Sequence, residues 1–146
     1  MKPNAEGFNL IELMITIAIA MILALVAIPS YQTIMGKERF TNATNNLYNA
    51  YRYARSEAIK SSAPIRLVPI DNSWAKGWQV LDVNNKVLQE AGAPHSSITV
   101  TGTAIKVLAT GSLASAASFR ISDSSSTRYL CVLSSGQSQL QEGACS

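Results

Sequence analysis

A chain of 146 residues accommodates one domain plus an N-terminal helix and excludes a two-domain arrangement. Hydrophobic residues make up 47% of it, but an N-terminal run holds a large share of them, so the remainder of the chain has the makeup of an ordinary soluble domain. The net charge of +3 is local: residues 37–66 carry a balance of +4 and residues 67–146 carry five charges of each sign, which describes a solvated helix face better than a nucleic-acid or lipid surface.

Residues 1–7 are short and polar, with Lys2 as their only base. The stretch Gly7-Phe8-Asn9-Leu10-Ile11-Glu12-Leu13 then opens an apolar run, and after Glu12 no charge appears until Lys37. The 24 uncharged residues from Leu13 to Gly36 span roughly 36 Å as a helix, enough for a hydrocarbon core of about 30 Å. A cleavable secretory signal ending at Ala18-Ile19-Ala20 fits poorly, because Glu12, Asn9 and Thr16 would interrupt its apolar region and Met21–Ile28 would lie beyond the cut. The better reading ends a leader at Gly7 and keeps the whole helix. Glu12 is then a carboxylate at the edge of a membrane-length helix with no basic partner nearby, a functional candidate by default.

Pro29 falls inside the helical pattern and predicts a bend, or a melted turn in a packed fibre, around Val26 to Pro29. Beyond it Phe40, Ala43, Leu47, Ala50, Tyr51, Ala54 and Ala58 recur at three- and four-residue spacing, the buried stripe of an amphipathic helix. That helix is expected to stop near Ser61-Ser62, since Pro64 forces the chain extended. The period then changes to that of strands. Residues 65–70, 78–83, 86–90, 98–101, 104–109, 118–122, 129–133 and 137–141 have strand chemistry, separated by turn signals such as Asp71-Asn72-Ser73, Asn84-Asn85 and Ser134-Ser135-Gly136. Four segments result: leader 1–7, membrane or assembly helix 8–36, amphipathic half-helix 37–62 and β-rich domain 63–146. If that domain lies outside the cytoplasm, Cys131 and Cys145 are expected to pair; two Cys and the single His95 are too few for a metal site.

The run from Gly7 to Leu13, joined to its apolar helix, resembles the N-terminus of type IV pilins and type II secretion pseudopilins, whose common form is Gly-Phe-Thr-Leu-Ile-Glu-Leu. The one departure is Asn9, where Thr is usual. Tyr53-Ala54-Arg55-Ser56-Glu57-Ala58-Ile59-Lys60, then Trp74 and Gly77-Trp78, then Cys131 and Cys145, are similar to the FimT/FimU/GspH branch of minor pilins and pseudopilins, its FimU-type members above all. The resemblance implies an α+β pilin fold: a long N-terminal helix, its apolar half protruding, packed on an antiparallel sheet domain of one sheet or two small ones. It implies cleavage between Gly7 and Phe8 by a prepilin peptidase on the cytoplasmic side and methylation of Phe8. It also implies a helix-kinking proline at the place of Pro29, and insertion in the inner membrane with the domain in the periplasm before assembly into the fibre. The implied partners are other minor and major pilins and the inner-membrane assembly platform. The amine of a processed Phe8 lies at i,i+4 spacing from Glu12, so the two could pair within one subunit or, as the family implies, between a new subunit and its neighbour. A simpler reading leaves Glu12 in the headgroup zone, offsetting the clash of that amine with the helix dipole.

No enzyme is legible. Gly136-Gln137-Ser138-Gln139-Leu140 lacks the closing glycine of a nucleophile elbow, and no phosphate loop, dinucleotide turn or cofactor motif occurs. Arg55, Glu57 and Lys60 read as salt-bridge and capping residues, and Trp74 and Trp78 as core. Some FimT-like pilins bind DNA through Gly-Arg-x-Arg near the C-terminus; here the matching place reads Gly136-Gln137-Ser138-Gln139, without either arginine. Residues 131–146 hold no base at all, so the electrostatic term that dominates nucleic-acid affinity is missing and direct DNA binding is not expected. The expected role is that of a minor pilin in a tip or priming complex of a type IV pilus. The alternatives are a type II secretion pseudopilin and a DNA-uptake receptor of the FimT kind.

Overall fold

The structure, a computed structural model, describes residues 8–145, with Pro29 described by its backbone only. The leader and Gly7 lie outside the described residues. One helix, α1 (Leu10–Ser61), is followed by eight strands, and the helical assignment runs through residue 29 without a break. Residues 1–37 and 38–146 fall into two units, and the second holds the packed core.

Both ends of α1 are closed by local chemistry. Asn9 is the N-cap: its carbonyl accepts the first helical bond from the Leu13 amide and its side-chain oxygen accepts from the Ile11 amide, a role in which Asn serves at least as well as Thr. At the other end Ser62 turns left-handed (φ 51°), and the amides of Ser62 and Ala63 donate back to the carbonyls of Ile59 and Ala58. That pair of bonds is a Schellman stop built without glycine, and Pro64 follows it.

The strands form two four-stranded antiparallel sheets. In one, β1 (Ile65–Ile70), β2 (Ser73–Leu81), β3 (Val87–Ala91) and β5 (Ile105–Val107) lie in the order β3-β2-β1-β5. In the other, β4 (Thr99–Gly102), β6 (Ala117–Ser122), β7 (Thr127–Val132) and β8 (Ser138–Gln141) lie in the order β4-β6-β7-β8. The chain changes sheet between β3 and β4, β4 and β5, and β5 and β6, so the two sheets are interleaved rather than sequential.

The expected strands all occur, most with ends shifted by one or two residues, and two of the differences have a clear cause. β2 begins at Ser73, not Trp78, because the turn is only Asp71-Asn72, both left-handed (φ 48° and 58°) as a two-residue I′ hairpin requires. Pro69 pairs with Trp78 and Ile70 with Ser73, so residues 74–77 bulge out where Pro69 has no amide to donate and Gly77 takes φ 105°. β5 ends at Val107, two residues early, because a tight turn starts at Leu108.

The stripe Phe40, Ala43, Leu47, Ala50, Tyr51, Ala54 and Ala58 is buried, joined by Thr44, whose hydroxyl donates to the Phe40 carbonyl and so hides its polarity. These residues share one core with Ile65, Leu67, Val80 and Val107 from one sheet and Phe119, Ile121, Leu130 and Val132 from the other. Trp74 bridges the sheets: its ring meets Phe119 edge-on at 5.2 Å and its indole N–H donates to the Gly102 carbonyl at 2.9 Å. The small residues Ala43, Ala50, Ala54 and Ala58 let the sheets approach the helix axis, while Tyr51 and Leu47 fill the space between them.

Cys131 and Cys145 form a disulfide with Cα atoms 5.6 Å apart, and the Gln141 side chain donates to the Ala144 carbonyl. Together they fold the C-terminal tail back beside β7 and β8. Reduction should lower unfolding free energy by about 3 kcal/mol for a loop of this length. Urea unfolding of the detergent-solubilised chain with and without dithiothreitol, followed by the fluorescence of buried Trp74 and Trp78, measures it.

Candidate functional site

The first functional segment is the N-terminal unit. From Leu10 to Ile28 its apolar side chains are exposed, and α1 carries a stretch long and apolar enough to cross a membrane. Thr16 does not disturb this, since its hydroxyl donates to the Leu13 carbonyl within the helix. Glu12 occupies the third helical position, in the first turn, where a negative charge interacts favourably with the exposed amides of the helix start. It makes no ion pair among the described residues. Joined to residue 7 by a peptide bond, Phe8 has no free amine to offer the Glu12 carboxylate.

The second segment is the turn that carries Gly136, Gln137 and Gln139. Leu133-Ser134-Ser135-Gly136-Gln137 is a type I turn closed by a left-handed residue: the Gly136 amide donates to the Leu133 carbonyl, the Leu133 amide to the Gln137 carbonyl, and Gly136 has φ 85°. Leu108-Ala109-Thr110-Gly111-Ser112 repeats that geometry bond for bond, with Gly111 at φ 78°. So does Asp82-Val83-Asn84-Asn85-Lys86, with Asn85 at φ 63°. Asn suffices in the exposed turn. In the other two the left-handed residue is buried and only glycine fits.

The two glycine turns come from different sheets and meet under the helix. A Cβ on Gly136 would lie 1.8 Å from the Gly111 carbonyl oxygen, and one on Gly111 would lie 2.7 Å from Ile59 Cδ1. The Leu113 amide donates to the Ser134 carbonyl across the junction. From the helix, the Tyr51 hydroxyl donates to the Gly136 carbonyl at 2.6 Å and Arg55 Nε to the Gly111 carbonyl at 3.0 Å. Arg55 is therefore not a salt-bridge residue; the half-buried Glu57 pairs instead with the exposed Lys60, at 3.6 Å. Burial pushes the Tyr51 phenol above its ordinary range, partly countered by the Arg55 charge.

Gly136 thus has a packing reason to be glycine. Gln137 and Gln139 flank it with exposed amides, Gln139 donating to Gln141. Among the described residues no group of acidic, His or Cys side chains could hold a metal.

An exposed apolar helix preceded by a capped Glu-bearing turn, continuing into a helix clasped by interleaved antiparallel sheets, defines a fibre subunit of the pilin type. The family model for type II transport protein GspH matches residues 43–136, and the model for the prokaryotic N-terminal methylation motif matches residues 2–28. The chain belongs to the GspH family, among the type IV minor pilins and pseudopilins, whose members associate with other pilins in pili or pseudopili. The fimbrial protein EcpC of Eikenella corrodens is 36% identical over 104 residues, covering 69% of this chain and 65% of that protein. Two crystal structures of the type IV minor pilin FimU of Pseudomonas aeruginosa share the fold. One has a TM-score of 0.64 at 20% identity, covering 74% of this chain and 92% of that one; the other has 0.59 at 22%, covering 69% and 91%.

Two substitutions test the clasp. Gly136→Ala forces a Cβ into a carbonyl at a left-handed position and should cost about 3 kcal/mol or more in urea unfolding. Tyr51→Phe should cost about 1–3 kcal/mol by leaving the buried Gly136 carbonyl without its donor. A raised phenol pKa means that the unfolded chain loses this proton first, so stability falls as pH rises above about 10. In Tyr51→Phe that alkaline loss should be shallower than in the wild type.

Proposed function

We propose that this chain is a minor pilin of a type IV pilus, a structural subunit of the tip or priming complex that supports pilus assembly. The observation that carries the reading is the Gly7–Leu13 motif on a membrane-length helix joined to a FimU-like fold, together with the identity to a fimbrial protein. The chain waits in the inner membrane as a single-pass protein with its sheet domain in the periplasm. Prepilin peptidase cuts between Gly7 and Phe8 and methylates Phe8. The new amine then meets the Glu12 carboxylate of a neighbouring subunit as the helix leaves lipid for the fibre core. In that setting the carboxylate gains the cationic partner that it lacks in the membrane. Pro29 lets the helix bend or lose a turn as it packs. The Cys131–Cys145 bond holds the exposed domain together outside the cell.

A second reading places the chain in a type II secretion pseudopilus; the GspH description of the matching family favours it. A strain lacking the chain decides between them: loss of pili with intact protein secretion supports the pilus, and the converse the pseudopilus. A FimT-like role in DNA uptake has less support, since Gln137 and Gln139 stand where that motif has arginines.

Mass spectrometry of the mature protein should find a methylated Phe8 as its N-terminus; one at Met21 would overturn the reading. Glu12→Ala should stay in the membrane fraction. Losing one partner of a buried pair costs about 3–5 kcal/mol, so pilus number by electron microscopy should fall at least about tenfold. Unchanged piliation would count against the assembly role.

A further inference from the structure

Beside the glycine clasp, helix and C-terminal hairpin enclose a groove of about 730 Å³ in which all the charge is positive. Arg52 and Arg55, one turn apart on α1, line one wall with Ser56; Gln137 and Ser138 line the other. No acidic side chain borders it, and neither arginine has a carboxylate partner among the described residues. Arg55 is nonetheless fixed, and the exposed Arg52 rests on an aromatic ring. Arg55 is fastened through Nε to the Gly111 carbonyl, which leaves its terminal Nη groups without a protein acceptor. Arg52 lies over the Tyr48 ring at 5.7 Å, a stacking that orients the fork without using its donors. A preorganised pair of guanidiniums flanked by hydroxyl and amide groups is a receptor for a carboxylate, which both can grip through paired N–H bonds.

We propose that this groove binds a carboxylate-bearing segment of a neighbouring pilin subunit. The identity of the partner rests on the fibre-subunit reading above; the carboxylate chemistry does not. Nucleic acid fits less well. Two cations neutralise few phosphates, the hairpin wall is neutral, and no aromatic face is free for base stacking: Tyr51 is fully buried and Tyr48 is covered by Arg52. The twin turns acquire a second consequence. A Cβ on Gly136 would approach Arg55 Nε to 2.9 Å, so the glycine that lets the sheets meet also leaves room for the arginine that faces the groove.

The test uses the full chain in non-ionic detergent at low salt and follows fluorescence anisotropy of a labelled oligoglutamate peptide. A single-stranded oligonucleotide of equal length and an oligoglutamine peptide serve as comparisons. Arg52→Gln, which leaves the Arg55 anchor intact, should weaken oligoglutamate binding about fivefold to tenfold. Ser138→Glu, which puts a negative charge into the groove while keeping both arginines, should weaken it at least as much. Lys106→Gln removes the same charge on β5, opposite Arg66 and outside the groove, and should change nothing. Absent binding, or equal binding by all four proteins, would overturn the proposal. So would tighter binding of the oligonucleotide that is lost in Arg52→Gln and Ser138→Glu, which would assign the groove to nucleic acid. Pilus counts in the Glu12→Ala strain report on the fibre-subunit reading separately, so one can fail without the other.

Discussion

Two carbonyl oxygens, on Gly111 and Gly136, receive the Arg55 guanidinium and the Tyr51 phenol from the helix, and through them each sheet is fastened to the same helical turn and to the other sheet. Neither sheet alone encloses a core. One supplies Ile65, Leu67, Val80 and Val107 and the other Phe119, Ile121, Leu130 and Val132, and the helix stripe lies in the same cluster. Interleaving reinforces this dependence, because β4 and β5 are consecutive yet sit in different sheets, so the short link between them ties one sheet to the other. The Trp74 contacts with Gly102 and Phe119 fasten the sheets a second time.

Much of this was open to sequence reasoning because periodicity reports burial. The stripe from Phe40 to Ala58 has helical spacing and is the buried face, and the stop before Pro64 follows from proline sterics. What periodicity could not report was partnership between distant backbone groups. Arg55 read as a surface ion-pair residue because sequence spacing places Glu57 nearby and says nothing of Gly111, 56 positions away. The signal available was the repeated Leu-x-x-Gly spacing at 108–111 and 133–136, which marks two identical turns. The first was hidden inside an apparent strand. Likewise β2 looked shorter than it is, since its bulge over residues 74–77 breaks the alternation that defines a strand. Thr44 escaped notice because a hydroxyl counts as polar in a pattern, while in a helix it can donate to its own backbone and be buried like an alanine.

For the candidate site the division is sharper. The N-terminal motif is local and is read from consecutive residues, so its membership in a family was recoverable from the sequence. The place of a DNA-binding motif at Gly136-Gln137-Ser138-Gln139 is also local and reads there without its arginines, and the glycine that remains has a steric reason of its own, in the carbonyl of Gly111. The positive groove could not be seen from either end of the chain, since Arg52 and Ser138 are brought together only by the clasp.

The Asn9 cap separates shape from processing. The bonds that open α1 run from the Ile11 and Leu13 amides to Asn9 itself, and none of them requires a residue before Phe8. Removal of residues 1–7 would therefore leave the first helical turn as it is and alter only its electrical character. A neutral peptide linkage at Phe8 would become a cation one turn ahead of Glu12. Precursor and product would share one helix, and the charges of the leader, Lys2 and Glu6, would give way to a single cation at the helix tip itself.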